Sequence, residues 1–109
     1  MKELLKDTNK SLKTLTKEYP DFMKSFGGFM GSVEKDGALD KKTKELIAIA
    51  LSVTSHCKWC IAFHVKNALD FGATKDEIME SCFVATLMGG GPALMYTQLV
   101  MDAIKEFSE

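Results

Sequence analysis

Residues 55–64 read SHCKWCIAFH and bring two thiols and two imidazoles into ten positions. Cys57 and Cys60 are three apart, with His56 just before the pair and His64 just after it. Four chemistries suit such a set: a metal clip, a disulfide staple, a redox centre, or a buried helix turn that carries sulfur. On a helix turning about 100° per residue, Cys57 and Cys60 sit about one turn apart, and Cys60 and His64 are i, i+4 neighbours. Cys57 and His64 differ by only about 20° in direction, so the three share one stripe. An i, i+3 pair in a first helical turn can close a small disulfide ring. The helix N-terminus also favours a thiolate, which is the reactive form of cysteine.

One upstream residue extends the set. Glu45 falls in the first turn of an otherwise apolar helix and shares a face with Ala48, Ile49 and Ser52. If this helix and the next fold back as a hairpin, that face meets the cysteine stripe. A carboxylate beside an imidazole and a thiol makes a proton relay, in which Glu45 holds or accepts the proton that His64 takes from a cysteine. His56, where the helix begins, reads as a cap or surface residue and a candidate auxiliary. Trp59 either lines the site mouth or packs in the core. Zinc is the rival reading, with Cys57, Cys60 and His64 as ligands and His56 or Cys82 as the fourth. Three ligands along two turns of one helix span about 10 Å of rise, which is awkward for a compact tetrahedron. Cys82 otherwise reads as a small buried apolar residue.

The elements that must position these groups are helices. No sustained period-2 alternation runs through the chain, whereas several segments carry apolar residues at helical spacing. Residues 2–18 form a polar first helix. Pro20 opens a second that carries Phe22, Phe26 and Phe29, with Gly27 and Gly28 marking close packing or a kink. Asp40 caps a third, whose LIAIALSV run is apolar nearly all round and calls for a subunit interface as cover. The fourth starts near His56 or Cys57 and is ended by Gly72. Thr74 and Glu77 form a capping box for the fifth. GGGP at 89–92 interrupts it, and Pro92 opens a sixth. The expected fold is all-α, about six helices, with the cysteine motif at the start of a central helix.

A length of 109 residues suits one domain, 1–109, whose core is small enough that oligomerisation would help it. Fourteen positive charges, all lysine, face fifteen negative ones. That balance gives no general pull toward nucleic acid or anionic membrane, and the lack of arginine argues against bidentate phosphate or base recognition. The first twenty residues lack the apolar core of a signal peptide, and no uninterrupted apolar run approaches 18 residues. Three cysteines is an odd count, unlike a secreted disulfide framework. The chain reads as soluble and cytoplasmic, where a close cysteine pair is catalytic or metal-binding more often than structural.

Glu45, Cys57, Cys60 and His64 together read E-x11-C-x2-C-x3-H. This resembles the core motif of the alkylhydroperoxidase D-like proteins of the carboxymuconolactone decarboxylase superfamily, closely over residues 39–72 and in the GATKDEIME continuation. The resemblance implies an all-helical fold assembling as a homotrimer or homohexamer, and reduction of hydroperoxides without a metal or other cofactor. It implies that Cys60 attacks the peroxide, Cys57 resolves the sulfenic acid into a disulfide, and Glu45 and His64 relay protons. It also implies an external dithiol, from a lipoylated or thioredoxin-like reductant, to reset the pair. The best-known members carry a histidine inside the CxxC; here that position holds Trp59, and His56 precedes the pair. The decarboxylase members lack the cysteine pair, so lactone decarboxylation is not implied. The alternative is a zinc-binding or redox-sensing oligomeric module without efficient turnover.

Overall fold

The computed structural model describes residues 1–108, which form five helices and no strand: α1 (Lys2–Glu18), α2 (Pro20–Glu34), α3 (Lys41–Thr54), α4 (Lys58–Asp70) and α5 (Lys75–Phe107). Local chemistry sets the ends. The Asp40 side chain accepts from Thr43 N at 2.8 Å and starts α3. At the start of α5 the Thr74 hydroxyl accepts from Glu77 N while the Glu77 carboxylate accepts from Thr74 N. This reciprocal pair satisfies two N–H groups that the helix cannot. Gly72 ends α4 in the left-handed conformation, φ +88°. The closing bonds there run from Gly72 N to Leu69 O and from Ala73 N to Ala68 O, a Schellman motif.

α3, α4 and α5 pack on one another around Ile49, Val53, Ile61, Val65, Ile78 and Val100, all fully buried. α1 lies across α4, and α2 folds back on α1 without burying a residue. Gly27 and Gly28 mark neither close packing nor a kink: α2 runs through them, and a Cβ at either would meet nothing within 4 Å. The GGGP segment breaks the helix at Gly90. It interrupts the helix as expected, but as a kink with no intervening loop, so the two halves form one element and the count is five rather than about six. The break is confined to Gly90 (φ +68°, ψ −153°), conformational space essentially open to glycine alone, and helix resumes through Pro92. At Gly89 a Cβ would fall 2.7 Å from Ala93 Cβ and 3.3 Å from Thr54 Cγ2, so this glycine lets α5 approach the end of α3.

By length and composition alone α5 matches a membrane-crossing helix, but the break at Gly90 divides it. Residues 81–101 carry no charge. Much of this stretch is uncovered: Leu87 is 80% and Met88 84% exposed.

Candidate functional site

α3 and α4 are joined by three residues, 55–57, and fold back on each other. The turn therefore faces early α3 toward mid α4. Glu45 is buried, 4% exposed, on the same face as Ile49 and Ser52. Its Oε2 lies 2.7 Å from His64 Nδ1. That contact directs the other imidazole nitrogen away from α3. The Phe63 ring packs against the imidazole in a T-shaped arrangement, with centroids 5.1 Å apart. His64 remains one-fifth exposed, so the pair is shielded but open to a proton partner.

Cys57 and Cys60 are bonded as a disulfide, with Cα atoms 5.2 Å apart. The structure corrects one detail of the helical reading. Cys57 is the N-cap of α4, with extended backbone (φ −106°, ψ +95°), not a residue within the helix. Its Sγ accepts from Cys60 N at 3.2 Å. An N-cap side chain normally takes an unsatisfied N–H of the first turn; here sulfur does so. In the reduced protein the same N–H and the helix dipole favour a thiolate at Cys57. Cys60 lies within α4, one turn before His64.

His56 is at the surface, as one of the two sequence readings has it, and it does not cap α4. It occupies the left-handed residue of a second Schellman motif: His56 N donates to Val53 O and Cys57 N to Ser52 O, ending α3. Its φ is +54°, and His56 is the only non-glycine residue with positive φ among the described residues. The conformation costs a non-glycine residue roughly 1–2 kcal/mol. The imidazole stacks on Tyr96 of α5, centroids 4.5 Å apart and planes 12° apart. No local signal in the sequence could have found Tyr96, which lies forty positions downstream. Trp59 lies at the surface, 47% exposed, rather than in the core. Lys58 Nζ stands 4.9 Å over its ring, and it lines a cleft of about 450 Å³ with Asp7, Thr8, Ser11 and Leu12 of α1.

Cys82 is apart from this site, fully buried in α5. Burial pushes its thiol up to about 11. Among the described residues no three His, Cys, Asp or Glu side chains converge as a metal site requires.

Fold and site together define a helical protein with a redox-capable cysteine pair beside a buried Glu–His pair. The carboxymuconolactone decarboxylase family model matches residues 20–103, and the chain belongs to that family. A carboxymuconolactone decarboxylase family protein from Legionella pneumophila is 44% identical, with a TM-score of 0.96 over 99% of this chain and 96% of that one. A family member from Thermotoga maritima, described with a possible role in antioxidative response, is 25% identical with a TM-score of 0.84, covering 95% of this chain and 89% of that one. An uncharacterised protein of Cupriavidus necator is 38% identical over 88% of this chain and 85% of its own length. The alkyl hydroperoxide reductase AhpD of Corynebacterium aurimucosum is 31% identical over 72% of this chain, but only 44% of its own length.

Proposed function

We propose that the protein is a thiol-dependent hydroperoxide reductase whose redox centre is the Cys57–Cys60 pair. The observation that carries this reading is the conjunction of that bonded pair at the start of α4 with the 2.7 Å Glu45–His64 contact on the same helix hairpin. In the reduced enzyme His64, held by Glu45, takes the Cys60 proton. Cys60 Sγ attacks a peroxide oxygen: an S–O bond forms, the O–O bond breaks, and the alkoxide leaves as alcohol with the relayed proton. The Cys57 thiolate then attacks the sulfenic sulfur. An S–S bond forms, the S–O bond breaks, and the departing hydroxide is protonated to water. An external dithiol, lipoylated or thioredoxin-like, attacks Cys60 and expels Cys57, which the Cys60 N–H stabilises as a leaving thiolate. The dithiol leaves as a disulfide, its two protons returned to the pair.

Rapid-mixing consumption of an alkyl hydroperoxide tests this. Cys57→Ser should accumulate a trappable sulfenic acid on Cys60, while Cys60→Ser should consume no peroxide. Peroxide consumption undiminished in Cys60→Ser would reverse the cysteine roles, and none in the reduced wild type would end the reading.

The chain is proposed to act as a homotrimer or homohexamer. It exposes 7032 Å², against about 6,000 Å² for a compact monomer of this length. The excess has an apolar character: the α2 ridge of Phe22, Phe26 and Phe29, and the α3–α5 face of Leu51, Leu87 and Met88. The same faces support a second reading, a redox-sensing oligomer with little turnover, which a peroxide-dependent change in assembly state would mark. The odd cysteine count and the reducible pair support a cytoplasmic location.

A further inference from the structure

The chain ends two successive helices with the same motif but fills its left-handed position differently. At the end of α4 that residue is Gly72, φ +88°; at the end of α3 it is His56, φ +54°. Glycine adopts this conformation without strain, so a histidine there needs an anchor. The anchor is Tyr96, on the part of α5 beyond the Gly90 break. The residue that follows is Cys57, whose extended backbone aims Sγ at Cys60 N. A turn free to move would carry that sulfur off the N-terminus of α4.

We propose that His56 is a positioning residue: stacked on Tyr96, it holds the left-handed turn and so keeps Cys57 Sγ on the first turn of α4, where its thiolate is stabilised. The inference rests on reading the cysteine pair as a redox centre. It explains why an exposed histidine occupies a glycine position. It also gives Tyr96 a task in a site otherwise built from α3 and α4. The titratable groups beside Cys57 in the chain are His56 and Lys58; Tyr96 stacks on the first, and the His64–Glu45 pair lies further along α4. The variants below change only His56 and Tyr96 among these, and Tyr96→Ala leaves the imidazole in place, which separates the stack from the charge of the ring.

The test uses the full chain, reduced, in a Cys60→Ser background, with iodoacetamide alkylation of Cys57 followed against pH and the Tm recorded for each variant. His56→Gly and Tyr96→Ala should each raise the alkylation midpoint by about one pH unit, and so slow alkylation up to about tenfold at a pH below both midpoints. His56→Asn, which tolerates the left-handed turn but lacks the ring, should do the same. The double variant His56→Gly/Tyr96→Ala should be no slower than either single one, because both remove one stack. Tyr96→Phe keeps the ring and should restore the parent profile. The Tm of His56→Gly should equal or exceed the parent's, which separates positioning from folding. The proposal is overturned if His56→Gly keeps the parent profile. It is also overturned if Tyr96→Ala keeps that profile while His56→Gly loses it, since the effect would then belong to the imidazole alone. Alkylation involves no peroxide, so this result stands or falls independently of hydroperoxide turnover.

Discussion

Glu45→Gln changes the charge of the site while leaving its shape. Glutamine can still accept the Nδ1–H of His64, so the neutral imidazole keeps its orientation. What is lost is the negative charge 2.7 Å from the ring when His64 takes a proton from Cys60. Unit charges 4 Å apart attract by about 4 kcal/mol at an effective dielectric of 20. With His64 one-fifth exposed, solvent reduces that. The net value of a hydrogen bond to a charged group is about 1.5–3 kcal/mol. If all of it acts in the step that forms the imidazolium, peroxide consumption slows roughly 10- to 150-fold, at 1.36 kcal/mol per decade. Folding stability should change by only about 1 kcal/mol, the scale of one ordinary hydrogen bond. His64→Ala behaves differently, because it strands a buried carboxylate; removing one partner of such a pair costs about 3–5 kcal/mol, here toward the low end. Stopped-flow peroxide consumption and urea titration measure the two quantities separately. A folded Glu45→Gln protein that consumes peroxide within threefold of the wild-type rate would refute the relay.

Four further outcomes follow from the same structure. In the reduced native protein iodoacetamide at pH 8 should label Cys57 and Cys60 but not Cys82, whose buried thiol stays protonated up to about 11; mass spectrometry after denaturation in a second label would count it. Gly89→Ala should cost about 1–3 kcal/mol by overpacking against Ala93 and Thr54, read as a lowered urea midpoint with an unchanged m-value. The hydrogen bond from Thr74 N, then Lys42, holds the Glu77 carboxyl below its usual 4.5. Its contribution is therefore complete above pH 4.5 and lost as pH falls through the lowered value, so Tm should decline below pH 4.5 less steeply in Glu77→Gln than in the wild type. The double substitution Leu87→Lys/Met88→Lys should reduce the sedimenting mass to that of a monomer without unfolding it, since both side chains are over three-quarters exposed in the single chain.

What the sequence discloses follows the range of the interactions involved. Asp40, Gly72 and the Thr74–Glu77 box act within a few residues, so the start of α3, the end of α4 and the start of α5 are legible from spacing alone. The break at Gly90 is legible as a break, but its narrowness is not: only the assembled helix shows that one glycine absorbs it. Glu45 and His64 are nineteen positions apart, and their contact depends on the α3–α4 hairpin, which local pattern suggests but does not require. The Cys57 cap escapes helical-wheel geometry because the wheel assumes that the helix has already begun. Tyr96 escapes altogether, since its partner is reached only through the packing of α5. The apolar faces of α2 and α5 are written in the sequence, and the single chain leaves them uncovered.

The proposed reaction turns on one event, closure of the Cys57–Cys60 bond by a hydroperoxide. Reduced protein, freed of reductant and mixed with one equivalent of an alkyl hydroperoxide, is quenched with an alkylating agent and mapped by mass spectrometry. One Cys57–Cys60 disulfide and one alcohol should form per peroxide consumed, with Cys82 still a free thiol. Peroxide left intact, or consumed with both Cys57 and Cys60 recovered as alkylated thiols, would contradict the proposed reaction.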